Sequence, residues 1–276
     1  MGLYKKEKRE QQELMEASIV VNEVKKIRKE QPRIGVRKLQ VLLRPVLEKH
    51  NIKIGRDGLF DLLREFGLLI KLKGYKHYTT QSKHQFYKYP NQIKDITVTE
   101  SNQLWVSDIT YIETGSGYNY LFLITDAWSK KIVGYNLSSS YSAQGAIQAL
   151  KMAFNDNKVS EGLVHHSDRG IQYCSKEYTL LLKKKKAVIS MTENSDPYEN
   201  AIAERVNGIL KTELLQVKYD NEQQASKAIQ KAIIIYNTKR PHLSIGLLTP
   251  ETAHQKNERI KKLWKNYYQQ TIKHCD

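Results

Sequence analysis

The sequence predicts an α/β chain: a mixed sheet of five strands covered by helices, preceded by a small all-helical region. Three consecutive strand-like runs are followed by alternating helical and strand-like segments, an order that builds a mixed sheet under helices. The first third of the chain instead carries apolar residues at helical spacing and no strand-like run. Charge divides at the same place. Residues 1–90 hold 21 Lys and Arg against 10 Asp and Glu, whereas residues 91–276 hold 24 against 19.

Taken in order, the spacing predicts a charged helix over Tyr4–Lys29 and a second helix from Val36, whose apolar stripe is Val36, Leu39, Leu42, Leu43, Val46 and Leu47. Pro45 should kink or shorten that helix, because it has no N–H to donate. A third, short helix opens at Gly55-Arg56-Asp57, carries Leu59, Leu62, Leu63 and Phe66, and stops at Gly67. Two short helices with a tight connection fit a helix-turn-helix as well as they fit a small bundle with a solvated basic face. Residues 72–97 lose all periodicity and mix Lys, His and Tyr, which suits an extended basic linker lying along a polyanion.

Beyond the linker, Leu104–Ile112, Tyr118–Asp126 and Lys130–Leu137 read as strands, the first two joined by Glu113-Thr114-Gly115-Ser116-Gly117. A helix over Ser142–Phe154, a strand over Leu163–Ser167, a helix over Lys176–Lys184 and a strand over Val188–Met191 follow. The last helix is the best marked: Asp196 is its N-cap, Pro197 its first residue, Glu199 completes a capping box, and it should run to about Leu215. The organisation is thus 1–71 helical, 72–97 linker, 98–255 core and 256–276 basic tail.

Composition narrows the function. A folded chain of 276 residues and net charge +16 carries that excess against its own repulsion mainly when its partner is polyanionic, so nucleic acid is expected. Two cysteines, Cys174 and Cys275, make no disulfide framework, and no CxxC pairs with a histidine as a zinc cluster. The amino terminus lacks the apolar stretch of a signal peptide, and the longest apolar runs fall far short of the roughly 20 residues that span a bilayer. A cytoplasmic, nucleoid-associated protein without a membrane partner is expected.

The chemistry is expected at three acids. Asp108 interrupts a run that otherwise reads as a central strand, where a carboxylate is costly without a cation. Asp168 follows a strand and precedes Arg169-Gly170, so a turn can leave it at the strand's end. Glu204 shares one stripe of its helix with Asn200, Asn207 and Lys211, opposite Ile202, Val206, Ile209 and Leu210. Three carboxylates at one sheet edge would hold two oxygen-ligated ions, Mg²⁺ or Mn²⁺, and phosphodiester chemistry is what such a pair performs. Lys211 and Asn207 on that stripe are expected to meet DNA, as is Asn200. Arg205 lies off it. Lys183–Lys186 reads as a solvated helix end or as a contact to flanking phosphates.

The local sequences are specific. Trp105-x-x-Asp108-Ile-Thr-Tyr, His165-His166-Ser167-Asp168-Arg169-Gly170-x-Gln172-Tyr173 and Asn200-Ala-x-Ala-Glu204-Arg-x-Asn207-x-x-Leu-Lys211-x-Glu213 resemble the catalytic core of the DDE transposase and retroviral integrase superfamily. They are most similar to the insertion-sequence-three family of bacterial transposases. Tyr236-Asn237-x-x-Arg240-Pro241-His242 and Thr249-Pro250-Glu251 resemble the segment that closes that core. The resemblance implies an RNase-H-like fold with Asp108, Asp168 and Glu204 as catalytic metal ligands, and Lys211 on DNA near the cleavage site. It also implies a helix-turn-helix over Ile34–Leu68, where Arg37 and Lys38 are candidate DNA contacts.

The activity so implied is cleavage at the terminal inverted repeats of an insertion sequence and transfer of the freed 3′-hydroxyl into double-stranded target DNA. A homo-oligomer on DNA is expected, and the product of an upstream reading frame, fused by frameshifting, is a possible partner. The zinc module of retroviral integrases is missing. Two other readings share the acids or the charge: an RNase-H-type nuclease that cuts without joining, and a decayed DNA-binding regulator.

Overall fold

A computed structural model describes residues 2–70, 85–94, 96–157, 159–193, 200–256 and 260. Most of the linker, most of the tail and the expected cap at Asp196, Pro197 and Glu199 lie outside the described residues. The chain divides into two compact units, Met1–Tyr75 with Thr212–Leu214, and Lys76–Lys211 with Leu215–Asp276.

In the first unit, α1 (Gly2–Glu30), α2 (Val36–Lys49) and α3 (Arg56–Glu65) surround one small core. Val20 and Val24 of α1, Leu39 and Leu43 of α2, and Leu59 and Leu63 of α3 fill it. Pro45 does not end α2, which continues to Lys49. The helix loses one backbone hydrogen bond there, and the burial of its Leu39 and Leu43 face offsets that loss. Gly67 ends α3 as expected: at φ 64° it lets its own N–H reach the Arg64 carbonyl and that of Leu68 reach Leu63, at 3.1 and 2.7 Å. Residues 212–214 belong to this unit through Arg33, whose Nη1 donates to the Thr212 carbonyl at 2.9 Å, and Lys38, whose Nζ lies 3.0 Å from Glu213.

The second unit is built on a sheet of β1 (Leu104–Thr114), β2 (Gly117–Asp126), β3 (Ile132–Ser138), β4 (Val164–Ser167) and β5 (Val188–Met191), in the order β3-β2-β1-β4-β5. The first three form an antiparallel meander, and β4 and β5 run parallel to β1. These are the five expected strands. A two-residue strand, β6 (Lys218–Tyr219), adds to β1 beside Glu113 and Thr114.

Alternation along β1 sends Trp105 and Ile109 to one face and Leu104 and Val106 to the other, so β1 is covered on both sides. The first face packs under α4 (Ala143–Asp156), α5 (Ile171–Cys174) and α6 (Lys176–Lys184). Close approach of α4 depends on Gly145, where a Cβ would sit 2.2 Å from the Phe122 ring. The second face meets α7 (Ala201–Ile209) through Ala203. The expected long helix to Leu215 is thus shorter: α7 ends at Ile209, and a π-helical turn, Leu210–Leu214, continues it.

Sequence reading did not anticipate α8 (Glu222–Thr238) as a helix; α9 (Pro250–His254) follows it. The Tyr236-Asn237 motif fastens α8 to the sheet. The Tyr236 hydroxyl donates to the Lys130 carbonyl, and the Asn237 amide pairs with both the N–H and the carbonyl of Ile132, at 2.9 to 3.0 Å. Arg240 and His242 are buried together, 2.8 Å apart. Among the described residues no helix is long and apolar enough to cross a membrane.

Candidate active site

Asp108 stands on β1 where its parallel neighbour β4 ends, and Asp168 is the first residue beyond β4. The register pairs Val106 with His166, so the two acids leave adjacent strands at the same level. Glu204 comes from α7, which packs against the same strand. Two acids thus crown one sheet edge and the third rides on the helix that packs against the same strand.

The electrostatics follow from that placement. Burial pushes the Asp108 carboxyl up to about 7, the Asp168 charge pushes further in the same direction, and Glu204 adds a smaller push. Two hydrogen bonds oppose the rise: Asn207 Nδ2 donates to Asp108 Oδ2 at 2.7 Å, and the Ile109 N–H donates to Oδ1 at 2.9 Å. Asp168 Oδ1 accepts the Gly170 N–H at 2.9 Å. A Cβ on Gly170 would lie 2.9 Å from that oxygen, so glycine keeps the turn close around the acid. Lys211 is half-buried near Asp108; burial lowers its affinity for the proton and the Asp108 charge partly restores it.

Asn200 and Asn207, expected at a DNA surface, are buried instead. Asn200 Nδ2 donates to the Ser107 carbonyl at 3.0 Å, tying the start of α7 to β1, while Asn207 holds Asp108. Asn200 precedes α7 and Asn207 lies within it, and both side chains turn to the sheet edge. Lys38 is paired with Glu213, both largely buried, which occupies the charge expected for a phosphate. Arg37 is exposed. Among the described residues no three His, Cys, Asp or Glu side chains are gathered closely enough to hold one metal ion.

Behind the acids the strands are joined by polar groups that sequence reasoning left unassigned. His165 Nε2 lies 2.7 Å from Ser107 Oγ and 2.9 Å from the Tyr178 hydroxyl, and burial pushes the imidazole down to about 3, so it is neutral. His166 Nδ1 meets Ser190 Oγ at 2.8 Å. A further acid, Asp126, is fully buried but structural: His254 first, then the Ser129 hydroxyl and N–H and the Asn102 N–H, hold its carboxyl below the usual range despite burial.

Two family descriptions named Integrase core domain match residues 98–197 and 185–250. An insertion element IS600 uncharacterized 31 kDa protein from Shigella sonnei is 34% identical over 225 residues, 80% of this chain and 81% of that one. The transposase for insertion sequence element IS629, also from Shigella sonnei, is 33% identical over 221 residues, covering 79% and 73%. The chain belongs to the integrase-core transposases of insertion sequences, the family its motifs resemble. A chain of the simian T-cell lymphotropic virus intasome shares the fold at 17% identity and a TM-score of 0.50, over 84% of this chain and 74% of that one.

Proposed function

We propose that this chain cuts the ends of an insertion sequence and joins the freed 3′-hydroxyl to target DNA, with Asp108, Asp168 and Glu204 as its catalytic acids. The observation that carries the proposal is the placement of the acids: Asp108 and Asp168 leave adjacent parallel strands at one level, and Glu204 rides on the helix packed against the same strand, where burial first, then the Asp168 charge and less strongly the Glu204 charge raise the Asp108 carboxyl. A fold keeps like charges together at a cost, and bound divalent cations would remove it. The donors are all carboxylate oxygens, the set that suits Mg²⁺ or Mn²⁺. Two such ions, when bound, would activate the attacking oxygen and stabilise the leaving one.

The chain's own groups do the rest. Asn207 fixes the rotamer of Asp108, and the Gly170 N–H fixes Asp168. Lys211 brings a positive charge beside Asp108, where a phosphate of the cut strand would meet it. Other phosphates fall to the basic amino-terminal region, including Arg37. We place the active form as a homo-oligomer on double-stranded DNA, in the cytoplasm and associated with the nucleoid, with a frameshifted upstream product as an additional partner.

The test uses oligonucleotides carrying the inverted repeats that flank the gene, with plasmid as target and Mg²⁺ present. Asp108→Asn, Asp168→Asn and Glu204→Gln should each abolish cleavage and joining while duplex binding survives. Joining by any one of the variants removes that residue from the site. Cleavage by the parent chain without joining identifies a nuclease.

A further inference from the structure

We propose that four tyrosines beside the acids, Tyr111, Tyr118, Tyr120 and Tyr141, form a stacking subsite for an unpaired nucleobase of the DNA strand being processed. The inference rests on the transposase reading above and adds a binding site to it.

The cluster has a simple structural origin. Tyr111 and Tyr120 are a cross-strand pair of β1 and β2, and Tyr118 precedes Tyr120 by two residues on the same face of β2. Farther along that face, Phe122 and Ile124 are roofed by α4, but α4 begins only at Ala143 and the hairpin end of the sheet runs past it. The rings there pack against one another instead. Tyr111 lies 5.4 Å from Tyr120 and 6.1 Å from Tyr118 between ring centres, both edge to face, and 6.2 Å from Tyr141 in a stacked arrangement. Tyr120 and Tyr141 are 4.8 Å apart. Tyr118 remains 52% exposed and the other three are half-buried.

Position gives the cluster its occupant. Gln172 Nε2 donates to the Tyr141 carbonyl at 2.8 Å, which ties Tyr141 to the short helix that follows Asp168-Arg169-Gly170. The Tyr141 phenol interacts with both Asp168 and Asp108, whose charges add to burial and Tyr111 in holding its proton. A strand whose scissile phosphate sits at the acids therefore brings its neighbouring nucleotides past Tyr141 and onto the open rings. Paired bases are already stacked on each other and present only edges, so a base that uses these rings has left the duplex. Stacking on aromatic faces is tolerant of sequence, as a subsite next to a cleavage point requires.

The experiment uses the full chain and two DNA probes, a blunt hairpin duplex and the same duplex with a three-thymidine overhang, with Ca²⁺ replacing Mg²⁺. Tyr118→Leu and Tyr111→Leu should weaken binding of the overhang DNA about tenfold or more, on the scale of base–aromatic stacking, and change blunt-duplex binding by less than about twofold. Tyr118→Phe keeps the ring and should restore overhang binding. Because Tyr111→Leu also touches packing, a second readout accompanies it: 5-iododeoxyuridine in the overhang, irradiated on the unaltered chain, should crosslink to a peptide containing one of the four tyrosines. Crosslinks confined to other peptides, or undiminished overhang binding by Tyr118→Leu and Tyr111→Leu in a chain that still cuts and joins DNA, overturn the subsite and leave the transposase reading standing. A parent chain that binds neither probe overturns both.

Discussion

Asp108→Asn is expected to make the metal-free chain more stable while destroying its chemistry. The Asp108 carboxyl rises from its ordinary 3.8 to about 7, and at about 1.4 kcal/mol per pH unit that sets a ceiling of about 4 kcal/mol on what the charged form costs the fold. The side chain is partly open to solvent at the sheet edge, which screens the cost to about half, on the order of 2 kcal/mol. The variant can be accommodated, because Asn207 Oδ1 is buried with no hydrogen-bond partner among the described residues. Turning the Asn207 amide over would offer that oxygen to the new N–H group.

The sign is fixed by the order of deprotonation. The unfolded group loses its proton near 3.8 and the folded one near 7, so the parent loses stability as pH rises through that window. His165 acts oppositely: it is pushed down to about 3, so its contribution grows as pH rises through the ordinary histidine range, but it is common to both proteins and cancels in their difference. Calorimetry in EDTA should therefore show matched melting temperatures near pH 4, and a variant about 4–8 °C higher at pH 8.5. Excess Mg²⁺ should raise the parent and leave the variant in place. Equal melting temperatures at pH 8.5 in EDTA would refute the reasoning.

Other perturbations probe the scaffold. Gly134→Ala would place a Cβ 2.3 Å from the Ala149 carbonyl oxygen and 2.8 Å from the Ala153 Cβ, so α4 must lift from β3; a loss of about 1–3 kcal/mol should appear in the urea midpoint. Asn237→Ala removes both bonds to the Ile132 backbone, at about 1 kcal/mol each, and hydrogen exchange at the Ile132 amide should accelerate. Removing residues 1–84 takes away 20 Lys and Arg against 10 Asp and Glu. The slope of log affinity against log salt should then flatten by roughly 0.9 for each phosphate that is no longer neutralised, and an unchanged slope would assign duplex binding to the core.

Much of the sheet was legible because its strands are long or bounded by turns, and the acid inside β1 stood out against Leu104, Val106 and Ile109 for the cost of burying it. The helix α8 was not legible. Ile233-Ile234-Ile235 is β-branched and breaks the polar face, and only the Asn221 cap, whose side chain accepts the Gln224 N–H at 2.9 Å, marks a helix start. Strand β6 has two residues and so no period to read. The role of Asn200 and Asn207 was hidden for a different reason. Periodicity groups residues on a helix stripe, but whether a polar residue faces water or the acids of a sheet edge depends on what the sheet presents to it. The same holds for Lys38, whose partner Glu213 lies 175 residues away.

The central claim is that acids from β1, from the end of β4 and from α7 act jointly on divalent ions in the catalytic state, and metal-directed cleavage of the protein itself tests it most directly. With Fe²⁺, ascorbate and peroxide replacing Mg²⁺, hydroxyl radicals formed at the bound ion should cut the chain in three short segments, around Asp108, Asp168 and Glu204. Excess Mg²⁺ or the Asp108→Asn substitution should suppress all three cuts together. Cuts confined to one or two of these segments, or cuts elsewhere that Mg²⁺ suppresses equally well, would contradict the claim.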